Sequence, residues 1–318
     1  MERKFGAELE MTGITREQAV SALRSVNINV RDEIYNHQTR DYWKIVPDGS
    51  VSGGFEVVSP ILEGEAGLEQ LRIVATALDD MGGSVNRSCG YHVHFDAAGM
   101  DVAHIRSIVT RYAAFEAEID AFMPASRRGS ENTFCRSVVA LSRNDRFRNA
   151  TSMSELITVQ GGRYFKVNLQ SFHRHGTVEF RQHSGTLNAA KAVNWVRFLD
   201  AFITESIARV DAPVAAPVRI PALRGVLGQL ADLFRQGDVT LDMMVERFGW
   251  QPHSARAAVT RLRKAGMVIS CRDGNVYTLR AEGQAAPAAR QEDSLWAGIA
   301  DFLRTFYHHR AAVLSAAA

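Results

Sequence analysis

Polar and apolar residues alternate along short segments of the chain, as they do in a β-strand that has one buried face. In residues 5–11, the apolar side chains share one face while Glu8 and Glu10 share the other. Residues 54–60 place Glu56 within an otherwise apolar strand, where a glutamate needs a partner or a cation. These two segments therefore predict strands that present carboxylates on one side.

Two further segments add imidazole and guanidinium groups to this pattern. In residues 90–96, His92, His94 and Asp96 fall on the face opposite three apolar residues. The polar face of residues 176–183 carries four side chains: Thr177, Glu179, Arg181 and His183. Upstream, residues 164–169 also alternate, which predicts Lys166 and Asn168 on a shared face.

Longer segments have apolar residues at three- and four-residue spacing, which is typical of amphipathic helices. They cover about residues 16–24, 68–81, 103–122 and 189–209. Short strands mixed with helices, without a regular βαβ series, predict an α+β domain over residues 1–210.

A second, smaller domain is predicted after a proline-rich linker at residues 211–221. Residues 222–282 follow the order helix, helix, helix and β-hairpin, which resembles a winged helix-turn-helix domain. The third helix carries four basic residues and no acidic one: Arg256, Arg261, Arg263 and Lys264. This basic face is consistent with contact to DNA or to a protein, and a solvated surface is the alternative interpretation. Residues 283–318 predict a further linker and a C-terminal helix.

Composition restricts the remaining possibilities. The 37 Lys and Arg residues nearly balance the 35 Asp and Glu residues, so no global charge attracts nucleic acid or anionic lipid. The three cysteines are scattered, which argues against a disulfide framework and a structural zinc site. No apolar run reaches the length of a membrane span. We expect a cytoplasmic protein that makes no membrane contact.

Four carboxylates on one surface, Glu8, Glu10, Glu56 and Glu179, would repel one another unless cations neutralise them. Carboxylate oxygens with an occasional imidazole favour Mg²⁺ or Mn²⁺, which points to phosphoryl transfer. The His-X-His pattern leaves a metal-dependent hydrolase open as an alternative. Asp48 lies in a Pro-Asp-Gly sequence and is interpreted as a turn former rather than a ligand.

Four motifs occur in an order that resembles the amidoligases, carboxylate–amine ligases related to glutamine synthetase and glutamate–cysteine ligase. They are Phe-Gly-Ala-Glu-Leu-Glu, Glu-Val-Val-Ser-Pro-Ile-Leu, Cys-Gly-Tyr-His-Val-His-Phe-Asp and Thr-Val-Glu-Phe-Arg-Gln-His-Ser-Gly-Thr-Leu-Asn. The resemblance covers about residues 3–207. It implies a curved, mostly antiparallel sheet of the glutamine synthetase catalytic type, with outer helices and a site for metal ions and ATP.

The resemblance also implies roles for individual residues. Glu8, His92 and Glu179 are expected to hold the metal ion that contacts the transferred phosphoryl group. Glu10 and Glu56 are expected to hold a second ion. Glutamine synthetase has two spaced glutamates in its second motif, so here a loop residue, Glu63 or Glu65, would have to complete that second site.

The nucleotide contacts implied by the resemblance involve basic and amide side chains. His94 is expected at a nucleotide phosphate, and Arg181 is expected to stabilise charge on the phosphoryl group during transfer. Arg127, in a basic loop that also contains Asn132, is expected near nucleotide or substrate. Lys166 and Asn168 complete the set of predicted nucleotide-binding residues.

The function implied is ATP-dependent formation of an amide through an acyl phosphate, with Glu8, Glu179 and Arg181 as catalytic residues. The substrates would be a small-molecule or peptide carboxylate and an amine, whose identities the sequence does not specify. An alternative is a DNA-binding regulator whose ligase-like domain senses a nucleotide or metabolite.

Overall fold

The computed structural model describes residues 3–130, 132–211, 225–265, 267–272 and 275–280. The chain divides into two compact units, Met1–Ala212 and Pro213–Ala318. The predicted linker at 211–221 falls almost entirely, and the C-terminal helix wholly, outside the described residues. Within the part of the chain that is described, no helix is both long and apolar enough to cross a membrane.

The first unit contains a seven-stranded mixed sheet with the strand order β2-β3-β4-β1-β5-β7-β6. Its strands are β1 (Phe5–Met11), β2 (Val30–Asp32), β3 (Trp43–Pro47), β4 (Phe55–Val58), β5 (Gly90–Asp96), β6 (Val167–Asn168) and β7 (Thr177–Ser184). All neighbours pair antiparallel except β2 and β3. This arrangement confirms the α+β class and the mostly antiparallel sheet. Strands β3 and β4 form a hairpin around the Pro-Asp-Gly turn.

Nine α-helices and one short 3-10 helix, Ala125–Arg127, are described in the first unit outside the sheet. The α-helices are α1 (Arg16–Ser25), α2 (Gly64–Asp80), α3 (Val102–Ala114), α4 (Glu116–Phe122), α5 (Val139–Ser142), α6 (Asp145–Arg148), α7 (Met153–Gln160), α8 (Ser171–His175) and α9 (Ala189–Asp211). The four predicted helices are present. The third is divided at Phe115 into α3 and α4, because the residue takes non-helical backbone angles.

The apolar face of the sheet forms the core beneath α3 and α9. Tyr91, Val93 and Phe95 of β5 are completely buried, as their alternation predicts. Phe180 of β7 packs against Tyr112 of α3 at a ring-centroid distance of 5.6 Å. Because this face is sealed by helices, the opposite face is the one available for polar chemistry.

A β-bulge in β7 overturns one prediction from alternation. Tyr91 of β5 pairs with His183 and Val93 pairs with Phe180, so β7 has one residue more than β5 over this stretch. The extra residue turns His183 to the helical side, where its ring packs against Tyr91 and Trp195. The prediction that His183 joins the polar face is therefore wrong.

In the second unit, the described residues form three helices and a three-stranded antiparallel sheet. Their bounds are α10 (Gly225–Gln236), β8 (Val239–Thr240), α11 (Leu241–Phe248), α12 (Pro252–Lys264), β9 (Val268–Arg272) and β10 (Val276–Arg280). Leu230, Met244, Val259 and Leu262 lie in its hydrophobic core. The three helices and the hairpin occur in the predicted order.

Candidate metal and nucleotide site

Strand register brings the polar side chains of the first unit together in the middle of the sheet. Glu8 of β1 lies directly opposite His92 of β5, and His94 of β5 lies opposite Glu179 of β7. On the other side of β1, Glu10 lies opposite Glu56 of β4. Residues that are opposite one another in an antiparallel pair project from the same face. Segments far apart in sequence therefore meet on one surface.

The first group of possible metal ligands is Glu8, His94 and Glu179, whose ligand atoms all lie within 4.8 Å of one another. His94 Nε2 is 3.3 Å from Glu8 Oε1 and 3.8 Å from Glu179 Oε1. His92 approaches the same carboxylates, with Nδ1 3.2 Å from Glu8 Oε2. His94, which was expected at a phosphate, thus lies among the possible ligands.

Two further groups overlap with the first. Glu8, Glu56 and His92 form one, and Glu10, Asp48 and Glu56 form the other, each with ligand atoms within 4.8 Å. Asp48 also accepts hydrogen bonds from the backbone N and the hydroxyl of Ser50, both at 2.7 Å. It is therefore both the turn former predicted from sequence and a candidate ligand.

Neither glutamate expected to complete the second site lies near it in the described structure. Glu65 is exposed on α2 and forms a 2.6 Å ion pair with Arg197. Glu63 precedes α2 and lines a separate surface depression. The third carboxylate beside Glu10 and Glu56 comes instead from Asp48, at the end of the neighbouring hairpin strand.

The pKa values of two carboxylates on this surface are shifted in opposite directions. Burial raises the pKa of Glu56 well above its ordinary value, and the adjacent Glu8, Glu10 and Asp48 raise it further. Burial also opposes ionisation of Glu8, but the imidazoles of His94 and His92 hold its pKa well below the ordinary value. A divalent cation placed between them would favour the ionised form of both groups.

Glu179 is held in place by two donors. Arg181 Nη1 donates to its Oε1 at 2.5 Å, and Asn168 Nδ2 donates to its Oε2 at 2.5 Å. Burial opposes ionisation of Glu179, yet Arg181 and His94 lower its pKa. The carboxylate is therefore ionised and oriented, with a guanidinium directly beside it.

The donor chemistry fits a hard divalent cation. Carboxylate oxygens and imidazole nitrogens are ligands that Mg²⁺ and Mn²⁺ accept. His94 Nε2 is buried and makes no hydrogen bond within the described structure, although its Nδ1 is bonded to Thr177 Oγ1 at 3.0 Å. An imidazole fixed through one nitrogen, with the other left between two carboxylates, is the arrangement of a metal-ligating histidine.

The three groups lie on the floor of a cavity of about 1270 Å³. The cavity lining also includes basic and aromatic side chains, among them Arg163, Arg174 and Tyr164. This volume exceeds the roughly 300–1,000 Å³ of a site for one drug-sized ligand. The cavity therefore has room for more than one ligand.

Two predicted nucleotide-binding residues lie outside this cavity, although Asn168 lines it. The ammonium group of Lys166 is fully buried and is bonded to Glu116 and Asp120. Lys166 precedes the two paired residues of β6, Val167 and Asn168, so the alternation of side chains in that strand does not fix its direction. Arg127 is also buried and donates to the carbonyl of Cys89 at 2.6 Å. Asn132 donates to Ser126 O within its own loop.

Comparison with known proteins identifies the family of the chain. The sequence profile of the family described as "Putative amidoligase enzyme" matches residues 1–203. The matched residues cover more than half of the 318-residue chain, and the chain belongs to the amidoligase family. A search of curated proteins found no match. The family places the chain among amide-bond ligases.

Proposed function

We propose that the first unit is an ATP-dependent carboxylate–amine ligase that uses Mg²⁺ or Mn²⁺. The observation that supports this most is the convergence of Glu8, His94 and Glu179 within 4.8 Å, beside Arg181 and on the floor of a large cavity. Family membership supports amide-bond formation, and the acidic floor supports the use of a metal–nucleotide complex.

The residues divide into two proposed metal sites. Glu8, His94 and Glu179 would hold one ion, with His92 as a neighbouring ligand. Glu10, Asp48 and Glu56 would hold the other. When bound, the ions would neutralise phosphate oxygens of ATP and so reduce the repulsion that an attacking carboxylate meets.

The proposed reaction has two steps. An oxygen of the substrate carboxylate attacks the γ-phosphorus of ATP, and the bond to the β,γ-bridging oxygen breaks, which gives an acyl phosphate and ADP. The amine nitrogen then attacks the acyl carbon, phosphate departs, and the amine loses a proton. Arg181 is placed to stabilise the negative charge of the phosphoryl group during the first step, because Glu179 holds its guanidinium at the floor of the cavity.

The test is a screen of amino acids and small peptides for amine-dependent ADP release, with mass spectrometry to identify the amide. Glu8→Gln and Glu179→Gln should each abolish the signal. Glu65→Gln is the matched control, because Glu65 is an exposed glutamate paired with Arg197 outside the cavity. Full activity in both site variants would refute the assignment. ATP binding without turnover for any pair would favour the sensor alternative, and metal-dependent hydrolysis without ATP would favour the hydrolase.

We also propose that the second unit is a winged helix-turn-helix domain that binds duplex DNA. Arg256, Arg261 and Lys264 are exposed on α12, whose opposite side packs into the hydrophobic core. The helix contains no acidic residue, so no acidic side chain of its own offsets the arginines and lysine on its exposed face. A charged helix face of this kind complements the phosphates that flank a major groove.

Fluorescence anisotropy with a mixed-sequence duplex tests this second function. The triple variant Arg256→Gln, Arg261→Gln, Lys264→Gln should lose binding, and the wild-type affinity should fall as salt rises. The control removes the same charge from the first unit through three exposed arginines: Arg143→Gln, Arg146→Gln and Arg148→Gln. Absence of binding at low salt, or an equal loss in the control, would contradict DNA binding.

A further inference from the structure

The bulge in β7 separates two adjacent side chains that have opposite environments. Arg181 projects into the cavity, whereas Gln182 is completely buried on the helical side of the sheet. Bulges often redirect a side chain near an active site, but an extra residue also loosens the ladder locally. Contacts beyond the β5–β7 ladder therefore help to hold the backbone here in one conformation.

Gln182 is held by a set of buried polar side chains, here called the buried bridge: Tyr112, Glu116, Asp120, Lys166 and Gln182. The hydroxyl of Tyr112 donates to Gln182 Oε1 at 2.6 Å, and Gln182 Nε2 donates to Asp120 Oδ1 at 2.5 Å. Lys166 Nζ donates to Asp120 at 2.6 Å and to Glu116 at 2.9 Å. Both hydrogen-bonding ends of the Gln182 amide are thereby satisfied.

The same bridge reaches Arg181 through the backbone. The amide N–H of Arg181 donates to the carbonyl of Lys166 at 2.8 Å. The main-chain carbonyl of Lys166 therefore holds Arg181. The side chain of Lys166 holds Gln182 indirectly, through Asp120. Two consecutive residues are fixed from the same point, which leaves the Arg181 side chain aimed at Glu179.

We propose that the buried bridge is a positioning device that keeps Arg181 on the cavity face. Buried ion pairs are weak sources of stability, because desolvation offsets their attraction, and in some proteins buried polar groups instead select one backbone arrangement. That property suits a bulge whose alternative registers would turn Arg181 away from the cavity. The consequence for phosphoryl transfer rests on the function proposed above, whereas the effect on the position of Arg181 does not.

Gln182→Leu tests the proposal, because it keeps a side chain of similar size at the bulge and removes its hydrogen bonds to Tyr112, Asp120 and Arg127. In its crystal structure, Arg181 should no longer contact Glu179. Its affinity for a magnesium complex of a non-hydrolysable ATP analogue should fall about tenfold, as expected for loss of one charge-assisted contact. Its affinity for Mg-ADP, which lacks the γ-phosphoryl group, should stay unchanged.

Gln70→Leu is the matched control. Gln70 accepts the indole N–H of the buried Trp43 at 2.8 Å, so its loss also leaves a buried group without its partner. Gln70 lies on α2, outside the cavity, and its variant should keep wild-type preference for the triphosphate. A purely structural role for the bridge would give the same nucleotide preference in both variants.

A single variant and a double variant that exchange charge at residues 182 and 120 distinguish the proposal from a simple loss of folding. Gln182→Glu places a carboxylate against Asp120 and should lose the triphosphate preference. Adding Asp120→Asn removes the second carboxylate and restores the original charge of the buried bridge, so the double variant should regain that preference. Retention of the Arg181–Glu179 contact in Gln182→Leu, or failure of the double variant to recover, would overturn the proposal. If wild-type protein bound neither nucleotide, the proposed function would fail while the crystal structure still decided the position of Arg181.

Discussion

Lys166 shows how the burial of one charged residue can mislead a prediction from sequence. Its strand-like surroundings suggested a nucleotide contact, but its ammonium group has no exposed surface and is paired with Glu116 and Asp120. The alternation of polar and apolar residues predicts the side-chain direction only within a paired strand. In β6, only Val167 and Asn168 are paired. The position of Lys166 depends on its pairing with Glu116 and Asp120 of α4, a tertiary contact that no local pattern specifies.

Removal of the Lys166 charge should destabilise the fold. Lys166→Met leaves the buried Glu116 and the partly buried Asp120 without their cation, and we expect a loss of about 3–5 kcal/mol in the free energy of unfolding. Arg72→Met is the control, because its ion pair with Glu69 is half-exposed and should contribute less than about 1 kcal/mol. Urea denaturation measures both values. Equal effects would show that the pair at Lys166 is no stronger than one at the surface.

His183 should make stability depend on pH, because burial lowers its pKa to about 4 from an ordinary value of 6.5. Between pH 6.5 and 4, His183 is therefore protonated in the unfolded chain and neutral in the folded chain. The stabilisation from neutral His183 is complete above pH 6.5 and is lost as the pH falls towards 4. The difference in unfolding free energy between wild type and His183→Gln should shrink over this range. A constant difference would contradict the assignment.

Gly90 allows His92 to approach the carboxylates. A Cβ atom at Gly90 would lie 2.5 Å from His92 Nε2 and 3.0 Å from Arg127 Nη2. Gly90→Ala should therefore displace the His92 ring and weaken Mn²⁺ binding, measured by calorimetric titration. Gly162→Ala is the control, because its nearest atom would be 3.8 Å away. Unchanged Mn²⁺ affinity in Gly90→Ala would indicate that His92 does not serve the metal.

Among the elements, the strands that carry the site were predictable because their alternation is regular. Glu8, Glu10, Glu56, His92, His94 and Glu179 all reach the same face as predicted. The bulge was not predictable, since an inserted residue leaves no mark in the alternation of a single strand. Asp48 was assigned to its turn alone, because a sequence signal for one role does not exclude a second.

The connection between β2 and β3, residues 33–42, is an element that lines the cavity and has no regular structure of its own. Lys44 holds it through bonds from Nζ to Asn36 O, Asn36 Oδ1 and Gln38 O at 2.8–3.1 Å. At its base, Glu33 accepts hydrogen bonds from Tyr42 and Arg40. This part of the cavity wall is thus held by side-chain hydrogen bonds rather than by the backbone hydrogen bonds of a β-sheet.

Lys44→Met should loosen this connection selectively, because three acceptors lose their donor. Hydrogen–deuterium exchange should become faster at residues 34–39 and stay unchanged in β1 and β5. Exchange that increased uniformly through the sheet would point instead to global destabilisation, and unchanged exchange at 34–39 would show that Lys44 does not hold the connection.

For the whole molecule, the sequence was sufficient to predict an α+β unit with a polar sheet face and to find its family. The identity of the acid and the amine was not accessible, because the cavity wall is built from connections such as residues 33–42 and 161–164 whose conformations depend on distant contacts. The helices and hairpin of the second unit could be predicted because their sequence signals are local. Its binding partner could not, because recognition depends on a folded surface.

The central claim is that side chains from four strands and one turn bind divalent ions in a single cavity. Titration of the full chain with Mn²⁺, followed by electron paramagnetic resonance, tests it directly. We predict two bound ions per chain, with one lost in Glu179→Gln, the other lost in Asp48→Asn, and both kept in Glu65→Gln. Wild-type protein that bound no Mn²⁺, or site variants that bound as many ions as wild type, would contradict the claim.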